Sequence, residues 1–198
     1  MDVVYQPLSP ASLQSGATFH TPDQSLPEQV NLEDAALNVM TDLKQIPAVT
    51  IIETATIDQA NNRMIARGVR LLFVMNCHYH IVGLITSTDL LGEKPMQHIQ
   101  KHGGTRFDIM ARDIMTPQDK LEVLEMADVE RSRVGNIVAT LKKAGRQHAL
   151  VVDHEGEDRQ QVVRGIFSAT QISRQLGLEI QSAQLANTFA EIKASLAG

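Results

Sequence analysis

The residues best suited to chemistry in this chain form two short runs, each led by a glycine and an apolar stretch. Gly83-Leu84-Ile85-Thr86-Ser87-Thr88-Asp89 is answered 82 residues later by Gly165-Ile166-Phe167-Ser168-Ala169-Thr170-Gln171. In each copy an apolar strand end meets a small hydroxyl residue, and a polar residue follows three positions on. A strand that ends at Thr86 and turns at once into a helix aims unpaired helix N–H groups above the strand end, which makes an anion site. Thr86 and Thr88 add hydroxyls, and Asp89 falls on the same face of the first turn. A carboxylate there can accept hydrogen bonds from two vicinal hydroxyls, as a ribose presents them, and Gly83 lets the backbone come close. Phosphate, ribose and an apolar slot for a base together describe a nucleotide. The competing explanation is local: Thr at a helix start is an N-cap, and Asp at its third position complements the helix dipole. Recurrence at matching places in two units is what favours a ligand.

The elements that position these runs also repeat. Met40-Thr41 matches Met115-Thr116, and the helical run ending at Arg67-Gly68 matches the one ending at Ala144-Gly145. Leu72-Phe73-Val74 likewise matches Ala149-Leu150-Val151. Such self-similarity sets the architecture before any other reading. In the first unit Val49-Thr50-Ile51-Ile52 is a β-branched strand. Thr56 and Gln59 form a capping box opening a helix that places Ile57, Ala60, Met64 and Ile65 on one face, and Gly68 ends it. Leu71 to Met75 and Ile81 to Ile85 pair as a hairpin, and a short helix starts after Thr86. In the second unit the spacing predicts a strand over Leu121–Leu124 and a helix with Val134, Ile137, Val138 and Leu141 on one face, closed by Gly145. Two strands near 148–152 and 162–167 and a helix from Ser168 complete it, with Asp153 to Arg159 as a long acidic hairpin loop. Both units read β-α-β-β-α. From Asn31 a short amphipathic helix is expected to about Met40, and Pro95 to Gly104 is expected as a helical linker.

The chain therefore divides into an extended, proline-rich arm over 1–30, a first repeat over 31–92, a linker over 93–107, a second repeat over 108–178 and a C-terminal amphipathic helix over 179–198. At 198 residues it is long enough for one well-cored domain or two small ones. Its 43% hydrophobic content, low aromatic content and lack of Trp suit an α/β protein cored by aliphatics. The net charge of −5 argues against nucleic acid as a partner, since phosphate neutralisation needs a surplus of Lys and Arg. One cysteine makes no internal disulfide, the N-terminus lacks the features of a signal peptide, and no apolar run approaches a membrane span. A cytoplasmic protein without membrane contact is the expectation.

On the paired glycine-to-aspartate phrase and the Met-Thr marks, residues 35–178 resemble the cystathionine-β-synthase (CBS) domain family in its tandem form, the Bateman module. The resemblance implies an α/β (α+β) fold of two β-α-β-β-α CBS repeats packed about a pseudo-twofold axis, with clefts that take adenosine ligands such as AMP, ADP, ATP or S-adenosylmethionine. Carried over by position, the first cleft comprises Leu84 under the sugar, Thr86 and Thr88 at phosphate and Asp89 at ribose. Thr116, Leu121, Arg146, Gln147 and His148 complete it from the other repeat. The second comprises Ile166, Ser168, Thr170 and Gln171 with Thr41, Val49 and Arg70. Gln171 departs from the family pattern, which has the ribose-binding aspartate there, so this cleft is expected to be the weaker. The resemblance implies a non-catalytic regulatory module with no cofactor beyond the nucleotide ligand, acting as a homodimer on a protein target that the sequence does not name.

Two rivals remain. One is a scaffold of the same fold with decayed sites. The other is a metal-binding protein using Cys77, His78 and His80, whose thiol and imidazoles could supply three ligands, although a polar hairpin turn explains the same residues. His98 and His102 stand one helical turn apart without an acidic companion and read as exposed. No nucleophile elbow, P-loop or metalloprotease signature occurs. In the last helix Leu185, Phe189, Ile192 and Leu196 recur at helical spacing, for packing on the body or on a second chain.

Overall fold

The computed structural model describes residues 25–157 and 159–178. The first sheet-forming elements are strand β1 (Met40–Asp42) and strand β2 (Thr50–Ile52), and helix α1 (Ile57–Arg67) follows. Thr56 caps α1: its hydroxyl accepts from the Gln59 N–H while the Gln59 side chain accepts from the Thr56 N–H, the expected capping box. Gly68 closes it with φ 62°, a left-handed turn open to glycine at little steric cost. Strands β3 (Leu71–Met75) and β4 (Ile81–Thr86) form the expected hairpin and lead into α2 (Ser87–Leu91). The linker is helical as expected, as α3 (Lys94–His102), and is followed by α4 (Ala111–Ile114) and the two-residue strand β5 (Thr116–Pro117). The second unit comprises β6 (Val123–Glu125), α5 (Met126–Val129), α6 (Val134–Ala144), β7 (His148–Glu155), β8 (Gln160–Ser168) and α7 (Ala169–Gln175). Gly145 ends α6 in the same left-handed geometry as Gly68, also with φ 62°.

Among the described residues two four-stranded sheets result, in the orders β2-β3-β4-β5 and β1-β8-β7-β6. In each sheet a parallel pair (β2 with β3, β6 with β7) sits beside an antiparallel hairpin, and the short edge strand is antiparallel. The edge strands are exchanged. β1, which precedes the first unit, pairs with β8 of the second, and β5, which precedes the second, pairs with β4 of the first. The helix starts follow the same exchange. The α6 N-terminus gives its Val134 and Gly135 N–H groups to the carbonyls of Asp34 and Leu32, while Ile57 at the start of α1 donates to the Ile109 carbonyl. Donors that a helix end leaves unpaired are thus satisfied by the leader of the other unit.

The core has three parts. Ile57, Ala60, Met64, Leu72, Val74 and Ile85 fill the helix side of the first sheet; Val134, Ile137, Leu141, Val151 and Phe167 fill that of the second. Leu71, Phe73, Leu84 and Leu150 pack sheet against sheet. The fold is thus the mixed α/β pair of β-α-β-β-α units read from the sequence.

Three local expectations are corrected. Residues 31–40 are not a helix: Ala36–Val39 is a single 3-10 turn, and Met40 already belongs to β1. The strand read over Leu121–Leu124 is displaced to Val123–Glu125. Asp153 to Glu155 continue β7, so the acidic loop shrinks to a turn around Gly156. Among the described residues no helix is long and apolar enough to cross a membrane. The arm up to residue 24 and the C-terminal stripe of Leu185, Phe189, Ile192 and Leu196 lie outside the described residues.

Candidate functional site

Each strand that ends the repeated phrase opens into a hollow between the sheets. The first cleft, about 300 Å³, brings together all nine residues expected there: Leu84, Thr86, Thr88, Asp89, Thr116, Leu121, Arg146, Gln147 and His148. Leu71, Leu84, Leu121 and Leu150 supply an apolar wall, and the hydroxyls, carboxylate and imidazole stand around it. Lys120 and Glu122 also line it. Glu122 pairs with Arg146 at 3.1 Å, both well exposed.

The polar groups of this cleft are already partnered. Thr86 accepts from the Asp89 N–H, and Asp89 Oδ2 accepts from both the Thr86 N–H at 2.8 Å and the Thr86 hydroxyl at 2.7 Å. The capping explanation therefore holds for Thr86 and Asp89, whatever else they do. The other carboxylate oxygen, Oδ1, lies 2.6 Å from the Lys94 ammonium, which also donates to the Ile114 carbonyl at 3.1 Å. The anion site expected from free helix N–H groups is smaller than supposed. α2 has five residues, its Ser87 N–H donates to the Arg70 carbonyl, and its Asp89 N–H is used by Thr86.

Gly83 serves a different end from the one read in sequence. A Cβ built there would lie 2.6 Å from the Thr116 carbonyl oxygen and 2.7 Å from Met115 Sδ. The close approach that glycine permits is that of β5, not of a ligand. Gly165 repeats the arrangement, with Met40 Sδ 2.5 Å from its built Cβ. The Met-Thr mark and the glycine of the phrase are two halves of one contact, made twice.

The second cleft, about 220 Å³, likewise gathers Thr41, Val49, Arg70, Ile166, Ser168, Thr170 and Gln171, with Arg174 beside them. Its polar chemistry differs. Gln171 accepts from the Thr41 hydroxyl at 3.3 Å and donates to Gln175 Oε1 at 3.4 Å. The buried Gln175 amide donates in turn to the carbonyls of Pro27 at 2.7 Å and Asn38 at 3.1 Å. Where the first cleft has a carboxylate cap, the second has an amide chain that ties α7 to the leader. Ser168 makes no side-chain cap for α7.

His148 and Leu71 line both clefts. Shielding from water, and after it the Arg70 guanidinium, bring the His148 pKa down to about 4 against the partial opposition of Asp89. The imidazole between the clefts is therefore neutral at pH 7.

Asn76 to His80 is a turn held by the Asn76 side chain, which accepts from the N–H groups of His78 and His80 at 2.9 and 3.0 Å. Among the described residues no three His, Cys, Asp or Glu converge on a metal-sized site, so Cys77, His78 and His80 are not brought together as ligands. His98 and His102 stack with ring centres 4.4 Å apart.

Sequence reasoning missed Lys94, Lys120 and Arg174. Lys94 lies five positions beyond Asp89 and across the helix break at Gly92, so only the angle between α2 and α3 brings it back.

These features define a class: paired β-α-β-β-α units with a cleft at each strand-to-helix switch. The sequence model of the CBS domain family matches residues 25–95. That match spans the first unit, and the described body has the fold of a CBS-domain pair. Many solved structures are similar, two of them as follows. An uncharacterised conserved protein from Pyrococcus horikoshii is 18% identical with a TM-score of 0.51, covering 78% of this chain and all of that one. The CBS-pair protein CBSX2 of Arabidopsis thaliana, crystallised in complex with AMP, is 19% identical with a TM-score of 0.50, over 71% of this chain and 94% of that one. No curated protein matches the chain.

Proposed function

We propose that the chain is a regulatory module that binds an adenosine nucleotide in the cleft of Thr86 and Asp89, without consuming it, and passes the signal to another protein. One observation carries this reading: two repeats 82 residues apart in sequence converge their hydroxyls, carboxylate and imidazole around one apolar-walled hollow of about 300 Å³. The AMP bound by CBSX2, which shares the fold, supports it. Ribose hydroxyls would replace Lys94 at Asp89 Oδ1, while the apolar wall takes the base. The cleft is poor in acid–base catalysts. Asp89 is committed to Thr86 and Lys94, and His148, with a pKa of about 4, is uncharged at neutral pH and a weak base.

The second cleft suits the alternative of a structural scaffold, because Gln171 already completes a hydrogen-bond chain with Thr41 and Gln175. A carboxylate–ribose contact is worth about 1.5–3 kcal/mol against about 0.5–1.5 for a neutral amide, so that cleft should bind about fivefold to tenfold more weakly. Titration calorimetry with AMP tests this. Asp89→Ala should abolish the tighter event, Gln171→Ala should leave it in place, and AMP should be recovered intact by chromatography. Two equal events, or a tight event that survives Asp89→Ala, would overturn the assignment.

A further inference from the structure

Beside the first cleft, on its outer side, lies a second hollow of about 390 Å³ between α3 and β5. Its chemistry is cationic: Lys94, Lys101 and Lys120 stand around it with His98 and His102, against the single carboxylate of Asp113. That carboxylate faces other work, since its Oδ2 accepts from the Met110 N–H at 2.8 Å and its Oδ1 lies 3.9 Å from Arg112. Among the described residues neither Lys101 nor Lys120 has an ion-pair partner. Lys94 is held by Asp89, whereas Lys101 and Lys120 bring two unpaired ammonium charges to the same concavity, whose wall concentrates their field for an anion. The hollow is not separate from the cleft. Thr116 and Lys120 line both, and Lys94 reaches from the hollow to Asp89.

We propose that this hollow receives the outer phosphates of a nucleoside di- or triphosphate whose sugar and base occupy the Thr86–Asp89 cleft. The proposal rests on the nucleotide reading above and names the ligand class within it. It also gives Lys94 a mechanism. A phosphate oxygen arriving at the Lys94 ammonium takes over the charge that Asp89 Oδ1 now satisfies, and frees that oxygen for ribose. Phosphate and ribose are then bound together or not at all. A ligand with a cationic sulfonium and no phosphate leaves the hollow's charge uncompensated and competes poorly.

Calorimetric titration of the full chain with AMP, ADP and ATP in EDTA tests the proposal. ATP should bind at least about tenfold more tightly than AMP, with ADP between. Lys101 lines the hollow and not the cleft, so its variants act on the phosphates alone. Lys101→Gln should weaken ATP by about twofold to fivefold, the usual range for one exposed ion pair, and Lys101→Glu by about tenfold, with AMP unchanged in both. ATP binding no tighter than AMP, or Lys101→Glu leaving ATP unaffected, overturns the proposal while the cleft reading stands. Inorganic tripolyphosphate binding as tightly as ATP also overturns it, by making the hollow an independent anion site. Failure of AMP, ADP and ATP alike overturns the cleft reading and this proposal with it.

Discussion

Protonation of His148 is opposed from two directions: burial removes the water that would solvate the imidazolium, and Arg70 adds a like charge, with only Asp89 in its favour. Its folded pKa of about 4 lies below the ordinary value of 6.5. Between those values the unfolded chain binds a proton that the folded chain refuses, so stability falls as pH drops from about 6.5 towards 4 and this contribution levels off below. The full effect is on the order of 2–3 kcal/mol, discounting for partial solvent access. Thermal melts across that window should show a falling midpoint, and His148→Gln should flatten part of the fall. An identical pH profile for the variant would remove His148 from the account.

At the scale of elements, the short edge strands are set by the methionine–glycine contacts, and the two contacts are unequal. A Cβ at Gly83 meets the Thr116 backbone oxygen as well as Met115, and backbone paired in a ladder cannot withdraw. The three atoms nearest a Cβ at Gly165 all belong to the Met40 side chain, which has three torsions to yield with. Gly83→Ala should therefore cost about 1–3 kcal/mol in denaturant unfolding, and Gly165→Ala clearly less. The reverse order would show that Met40 is the more rigidly held. The same elements show what sequence carries. Capping boxes at Thr56 and Thr86 were legible because they join a side chain to a backbone group three residues away. The left-handed stops at Gly68 and Gly145 were legible because few other residues accept that backbone. β1 and β5 were not: strands of three and two residues have no period to read, and their partners lie far along the chain. The stretch from Asn31 to Met40 reads as an amphipathic helix, yet Ala36 and Val39 pack on the second unit's core from a 3-10 turn. The residues of both clefts were reachable because position in the repeat fixes them. Lys94 and Lys101 belong to the connecting segment, which the repeat leaves unspecified, and Lys120 lies in the second unit between β5 and β6.

At the scale of the molecule, the first unit and the linker after it leave apolar side chains in the open. Ile65 on α1, Leu91 on α2, Met96 on α3 and Phe107 just beyond are all more than half exposed. Apolar surface of that kind favours self-association. We expect a homodimer, with light scattering giving twice the chain mass and Phe107→Glu shifting the equilibrium towards monomer; a wild-type monomer at high concentration would defeat this. The exchanged leaders have a consequence of another sort. Each half holds in its own span a strand and a helix cap that only the other half can use. One half copied alone would present the β4 or β8 margin bare, an invitation to recruit a stranger's strand. Each half therefore depends on the other for its sheet margin, whatever ligand either cleft holds.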